Sequence, residues 1–210
     1  MWRPKVPKYG PAEMMDHDVH GGALGDDERA PASICIAPYD TAWPERFREL
    51  GTALRAALGD VAIRIDHIGS TSVPGLAAKP IIDIQVSVQS LEPTDPFRLP
   101  LQGLGLVYRA GNTERTKRYF REPPGQPRTH IHVRRHGSFS AQFPLLFRDY
   151  LRQHPASAQE YEQVKRELAD RPGHDRAAYT DAKGEIVWAL IRRADQWAQR
   201  TGWEVGPGDA

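Results

Sequence analysis

The stretch Asp66-His67-Ile68-Gly69-Ser70-Thr71-Ser72-Val73-Pro74-Gly75-Leu76-Ala77-Ala78-Lys79-Pro80-Ile81-Ile82-Asp83-Ile84-Gln85-Val86 runs from a strand through a polar turn into a second strand. Ile63 and Ile65 alternate with Arg64 and Asp66, so Ala62 to Ile68 has the period of a strand with one buried face. That period makes Asp66 a structural partner on the polar side with Arg64. Gly69 opens the turn from Gly69 to Gly75 without a side-chain clash. Pro80 to Val88 reads as a largely buried strand through Ile81, Ile82, Ile84, Val86 and Val88, with Asp83 and Gln85 as its polar exceptions. An unpartnered buried carboxylate costs several kcal/mol, so Asp83 demands a metal ion, Lys79, a histidine or donors from the Ser70 turn.

The turn admits two readings. Ser70, Thr71 and Ser72 place hydroxyls beside backbone amides, with Lys79 to add charge, a set that holds a phosphate. The same hydroxyls also cap an ordinary hydrogen-bonded turn over Val73 to Ala77.

Outward from this stretch, Phe47, Leu50, Leu54, Ala57 and Leu58 form one apolar stripe behind Pro44, predicting a helix ended by Gly59. Order is expected from Ile34. Met1 to Pro31 mixes Pro, Gly, Asp and His without apolar period and reads as a flexible tail. Its His17, His20, Asp16 and Asp18 could meet a metal only at the entropic cost of ordering that tail. Downstream, Pro93 to Gly105 predicts a short helix and a turn. Arg118 to Arg121 and Thr129 to Val133 predict strands joined by the Pro-rich loop Glu122 to Arg128. Three helices follow, marked by Leu145 to Leu151, by Pro155 to Leu168 and by Ile186 to Trp197. The fold class is α+β, with one domain over residues 32–200 and a C-terminal tail over 201–210.

Composition narrows the function. Twenty-eight Lys and Arg against 27 Asp and Glu leave a net charge of +1, too small for binding to extended duplex DNA. One cysteine, Cys35, forms no intramolecular disulfide, which fits a reducing, cytoplasmic setting. No apolar run approaches the roughly 18 residues that span a membrane.

His130 and His132 are two apart in a strand and share a face, while Ile131 and Val133 enter the core. With Asp83 on a neighbouring strand they would make a mixed nitrogen and oxygen metal site, suited to zinc or manganese; otherwise they are hydrogen-bonded histidines. His67 is either a general base or a group that orients the Gly69 turn. Lys117 with Arg118, and Arg148 with Arg152, either bind phosphate oxygens through their cationic donors or form internal ion pairs, such as Arg148 with Asp149 or Glu160. Trp43, Trp188 and Trp197 read as core anchors.

The run His67 to Val86, with Pro38-Tyr39-Asp40, Trp43-Pro44, Phe147-Arg148-Asp149-Tyr150-Leu151-Arg152 and the Tyr179, Lys183 and Trp197 region, resembles the GrpB family over about Ile34 to Trp197. That resemblance implies a nucleotidyltransferase-like fold of the DNA polymerase beta superfamily: a mixed sheet with flanking helices and a helical C-terminal part. The superfamily motif is a hydrophobic residue, Gly, Gly or Ser, then a gap and Asp, hydrophobic, Asp or Glu, hydrophobic. Here Ile68-Gly69-Ser70 is followed after twelve residues by Asp83-Ile84-Gln85-Val86. Gln85 stands where the second carboxylate would be and offers only a neutral oxygen, which weakens the case for two-metal chemistry on magnesium. The resemblance places Lys165, Tyr179 and Lys183 on helices over the site. It implies a nucleotide or phosphorylated small molecule as ligand and a divalent metal (magnesium, manganese or zinc) as cofactor. The expected function is nucleotide binding, with metal-dependent nucleotidyl transfer as its catalytic form: Gly69, Ser70, Thr71, Ser72, Lys79, Arg118 and Arg148 on phosphate, Asp83 and His67 in catalysis, Asp83, His130 and His132 on the metal. The alternative is a non-catalytic binding or regulatory module that keeps the fold without a complete carboxylate cluster. No protein partner is legible.

Overall fold

The computed structural model describes residues 34–171 and 176–210. The stretch Met1 to Pro31, with His17 and His20, lies outside the described residues. Helix α1 (Ala42–Leu58) buries Trp43, Phe47, Leu54 and Leu58 along its apolar stripe, and Gly59 ends it at a φ of +50°, which glycine adopts without strain. Strand β1 (Arg64–Ile68), the single-turn helix Ser70–Ser72 and strand β2 (Ile82–Val88) follow. Then come α2 (Asp95–Gly103), β3 (Val107–Tyr108), β4 (Lys117–Arg121), β5 (Thr129–Arg135), α3 (Phe139–Gln153), α4 (Pro155–Ala169) and α5 (Arg176–Thr201). The α+β class and the helical C-terminal part match the sequence reading. β3, only two residues long, was not expected.

The strands form one five-stranded mixed sheet in the order β1-β2-β5-β4-β3. β2 and β5 run parallel, and the other pairs are antiparallel. Strand alternation gives the sheet two unlike faces. Ile65, Ile82, Ile84, Val86, Val88, Phe120, Ile131 and Val133 pack on Trp43, Phe47 and Leu54 of α1 and on Phe97 and Leu101 of α2. Each such side chain contributes about 1.5–3 kcal/mol by leaving water. The opposite face carries Arg64, Asp66, Asp83, Gln85, Ser87, Lys117, Tyr119, Arg121, His130, His132 and Arg134. A second apolar cluster joins the turn to the cap: Val73 and Leu76 meet Tyr150, Leu151, Tyr161, Val187 and Leu190, with Trp188 and Trp197 packed against them.

The half-exposed reading of β1 is corrected. All five of its residues are buried, and Ile63, just ahead of it, is 42% exposed. Arg64 can be buried because its Nε and Nη2 donate to both oxygens of Asp66, at 2.7 and 2.6 Å. Of residues 201–210, read as a tail, 206–210 lie against β1: the amide of Asp209 donates to the carbonyl of Ile65 at 2.9 Å.

Candidate functional site

The register β1-β2-β5 brings three chain segments together at one end of the polar face. Asp83 lies beside Ile68 on one side and His130 on the other, and His132 follows one pleat along β5. Asp83 Oδ1 accepts from His130 Nδ1 at 3.1 Å and from His132 Nε2 at 3.4 Å. A carboxylate only accepts, so these two nitrogens carry the ring protons. Burial opposes the charge on Asp83, but the bonds from the two imidazoles hold its carboxyl well below the usual carboxylate range. His132 is pushed down to about 3, chiefly by burial and against the pull of Asp83, so it is neutral at pH 7. Neutral imidazole is the form that binds metal. The ligand atoms of Asp83, His130 and His132 lie within 4.8 Å of one another, and this donor set fits zinc or manganese better than magnesium. Gln85, in register beside His132, donates through Nε2 to the carbonyl of Ala141 at 2.9 Å.

The Gly69 turn closes against this cluster. Gly69 has a φ of +71°, and a Cβ there would stand 2.7 Å from Asp83 Oδ2. Its hydroxyls divide their work. Thr71 Oγ1 donates to the carbonyl of Ile81 at 3.0 Å, just ahead of β2, and Ser72 Oγ to that of Gly69 at 2.6 Å, inside the turn. Half-buried Ser70 instead accepts from Lys165 Nζ of α4 at 3.2 Å. Lys165 is almost wholly buried, also donates to the carbonyl of Ala77 at 2.6 Å and lies over the Tyr161 ring. Burial, then the nearby charge of Lys183, push its ammonium down to about 7.

Three expected site residues, His67, Arg148 and Arg118, make their contacts elsewhere. His67 is paired with Ile84 in register and so faces the apolar side of the sheet, away from Asp83. It stacks on Phe47 with ring centroids 4.7 Å apart, and its Nε2 meets Thr71 Oγ1 at 3.0 Å. That geometry sets His67 against the turn, on the side of the sheet opposite Asp83. Of the two readings of Arg148, the internal ion pair is present: it bonds Asp149 at 2.7 Å, Asp209 at 2.7 Å and the carbonyl of His67 at 3.1 Å, an internal clamp. Arg118 shares a face with Phe120 rather than with Asp83 and donates to Glu92 at 2.6 Å. Lys79 Nζ sits 4.1 Å over the Tyr179 ring.

Two residues at the site were missed. Tyr119 pairs with His132 in register, and its ring lies 5.3 Å from that of His132 and 5.5 Å from that of His130. Arg121 pairs with His130 and bonds Glu122 at 3.0 Å. The alternation Lys117, Tyr119, Arg121 against Arg118 and Phe120 was the available signal, since it sets these side chains on the histidine face.

Comparison with known proteins identifies a family. The family model described as GrpB protein matches residues 33–193. A UPF0157 protein of Pseudomonas aeruginosa is 44% identical over 176 residues, covering 80% of this chain and 69% of that protein. A dephospho-CoA kinase of Mycobacterium tuberculosis is 35% identical over 211 residues, covering 88% of this chain. The chain spans 51% of that kinase's length. The crystal structure of a conserved GrpB protein from Enterococcus faecalis, 33% identical, covers 81% of this chain and 100% of its own, with a TM-score of 0.68. No helix among the described residues is long and apolar enough to cross a membrane.

Proposed function

This chain belongs to the GrpB family, and from that premise we propose that it binds a nucleotide or other phosphorylated small molecule at a divalent metal held by Asp83, His130 and His132. Nucleotidyl transfer is the catalytic form of that binding. The observation that carries the reading is the closure of the Gly69-Ser70 turn on Asp83, where even one methyl group would collide with the carboxylate. A phosphate lying along that turn meets the Ser70 hydroxyl, with Lys165 behind it. When bound, the metal neutralises phosphate charge and polarises the reacting phosphoryl group. Asp83 brings the one carboxylate of the set, and its two histidine donors favour zinc or manganese.

Thermal shift with zinc, manganese or magnesium, each with and without nucleoside triphosphates, tests the proposal. Stabilisation is expected from zinc or manganese with nucleotide, at about 2.7 kcal/mol for ligand at a hundred times its dissociation constant. Asp83→Asn should remove that shift while lowering apo stability by no more than about 1 kcal/mol, because the amide oxygen still accepts from one histidine. Metal and nucleotide binding as in the wild type would sink the reading.

A second reading has its own observation. The chain matches about half of a longer protein whose name is dephospho-CoA kinase, which favours a binding or regulatory module attached to an enzyme of phosphorylated substrates. Stabilisation by dephospho-CoA without any metal, unchanged in Asp83→Asn, would support this module over the metal site.

A further inference from the structure

The cluster has two flanks. The Gly69-Ser70 turn and Lys165 lie on the β1 side of Asp83, and β4 lies on the other side, beyond the histidines. On that second flank the Tyr119 hydroxyl, His130 Nε2 and His132 Nδ1 are buried polar atoms without a hydrogen-bond partner among the described residues. Tyr119 is 2% exposed. A buried polar atom without a partner costs about 1–3 kcal/mol, and native proteins rarely keep three together without a ligand or water to meet them.

The chemistry of the metal cluster decides what that ligand is. Without metal, the Asp83-facing nitrogens, His130 Nδ1 and His132 Nε2, hold the ring protons. A metal on those nitrogens moves the protons to the far side of each ring, to His130 Nε2 and His132 Nδ1. Both orphan nitrogens then donate, beside a tyrosine that also donates. Arg121, in register opposite His130, adds positive charge, moderated by its bond to Glu122.

We propose that the β4 flank is an anion subsite, in which the Tyr119 hydroxyl and the outward N–H groups of His130 and His132 donate to a phosphate or phosphonate oxygen. The subsite rests on the metal reading above. Donors from three side chains select an acceptor-rich anionic group over an amine, which would bring donors of its own. Tyr119 is thus assigned to ligand binding on the side opposite the Ser70 turn, so that the cluster can address two ligand groups at once.

Cobalt-loaded protein tests this directly, because its visible bands report both metal binding and the arrival of an anion. The probe is phenylphosphonate, which carries the anionic group and does not hydrolyse. Wild-type protein should bind cobalt, and phenylphosphonate should shift its bands. Tyr119→Phe should bind cobalt within about threefold of the wild type and melt without metal at the same or a higher temperature, since it loses only an unpartnered hydroxyl. Its phenylphosphonate affinity should fall at least about tenfold, as for a lost bond to a charged acceptor. An unchanged phenylphosphonate affinity in cobalt-loaded Tyr119→Phe overturns the subsite alone, because an anion held at the Ser70 turn would not sense Tyr119. A lower apo melting temperature overturns it too, since the hydroxyl would then be a structural partner. Failure of wild-type protein to take up cobalt overturns the metal reading and the subsite with it.

Discussion

Two residues of the first strand and its turn decide what Asp83 can do, and each makes a measurable prediction. Gly69 combines a positive φ with a Cβ position 2.7 Å from Asp83 Oδ2. Gly69→Ala should therefore push the carboxylate off its histidines, lowering zinc affinity at least about tenfold in isothermal titration, with a stability loss of about 1–3 kcal/mol from backbone strain. Zinc affinity equal to the wild type would show that Asp83 does not need its present position. His67 supports the same turn from the other side of the sheet. It is pushed down to about 4, first by burial, with Arg152 and Arg148 acting in the same direction and Asp83 opposing them. Unfolded chains protonate such a histidine near pH 6.5 while the folded protein does not, so stability is full above about pH 7 and falls as the pH drops toward 4. His132, pushed down to about 3, adds to the same loss. Urea unfolding without metal from pH 7.5 to 4.5 should show this slope, and His67→Phe, which keeps the stack on Phe47, should flatten it by about one proton. Parallel slopes for the two proteins would rule His67 out as the source.

At the level of elements, the sheet has one hydrocarbon face and one buried polar face, and the second needs internal pairing. Arg64 meets Asp66, and Glu114 meets Lys117 at 2.5 Å and Arg134 at 3.2 Å. Arg148 ties α3 across to β1 through the carbonyl of His67 and to Asp209. Arg148→Met should cost on the order of 3 kcal/mol in urea unfolding, because it strands partners that have little water access. It should leave zinc affinity intact, since Arg148 bonds none of Asp83, His130 or His132; a variant that loses zinc with stability unchanged would return Arg148 to the site. This pairing also explains what sequence could and could not reveal. Helices α1, α3, α4 and α5 and strand β2 were legible because their apolar periods are set by burial against one neighbour. The Asp83, His130 and His132 cluster was legible because parity along β5 and the apolar context of Asp83 both constrain it. β1 was misread because Arg64 and Asp66 satisfy each other, and local period alone cannot distinguish a solvated charge from a paired one. Arg148 and Arg118 stayed open between phosphate and an internal ion pair for the same reason: besides the neighbouring Asp149, their carboxylate partners Asp209 and Glu92 lie 61 and 26 residues away in sequence.

For the whole molecule, the first strand lies at one end of the sheet, and its outer backbone groups must be met by something other than a strand. The C-terminal residues meet them. The amides of Asp209 and Ala210 donate to the carbonyl of Ile65, and the Asp209 carboxylate accepts from the amide of His67 at 2.9 Å as well as from Arg148. Trp203 Nε1 donates to Asp149 at 3.2 Å, and Arg64 donates to the carbonyl of Gly206 at 3.0 Å. Ala210 packs against the apolar core near Gly51, and its carbonyl accepts from Arg55. This segment therefore joins α1, β1 and α3, and closes the edge of the strand whose turn meets Asp83. Removing residues 203–210 should lower the melting temperature by on the order of 10 °C, counting about 1 kcal/mol for each of several lost bonds and roughly 2–4 °C per kcal/mol for a chain of this size. The shortened protein should also associate at high concentration through the uncovered edge, which light scattering would detect. If the truncated protein keeps both its melting temperature and its monomer mass, residues 203–210 do not hold the β1 edge. The turn would then owe its position to His67, Lys165 and the packing of Val73 and Leu76 on the C-terminal helices.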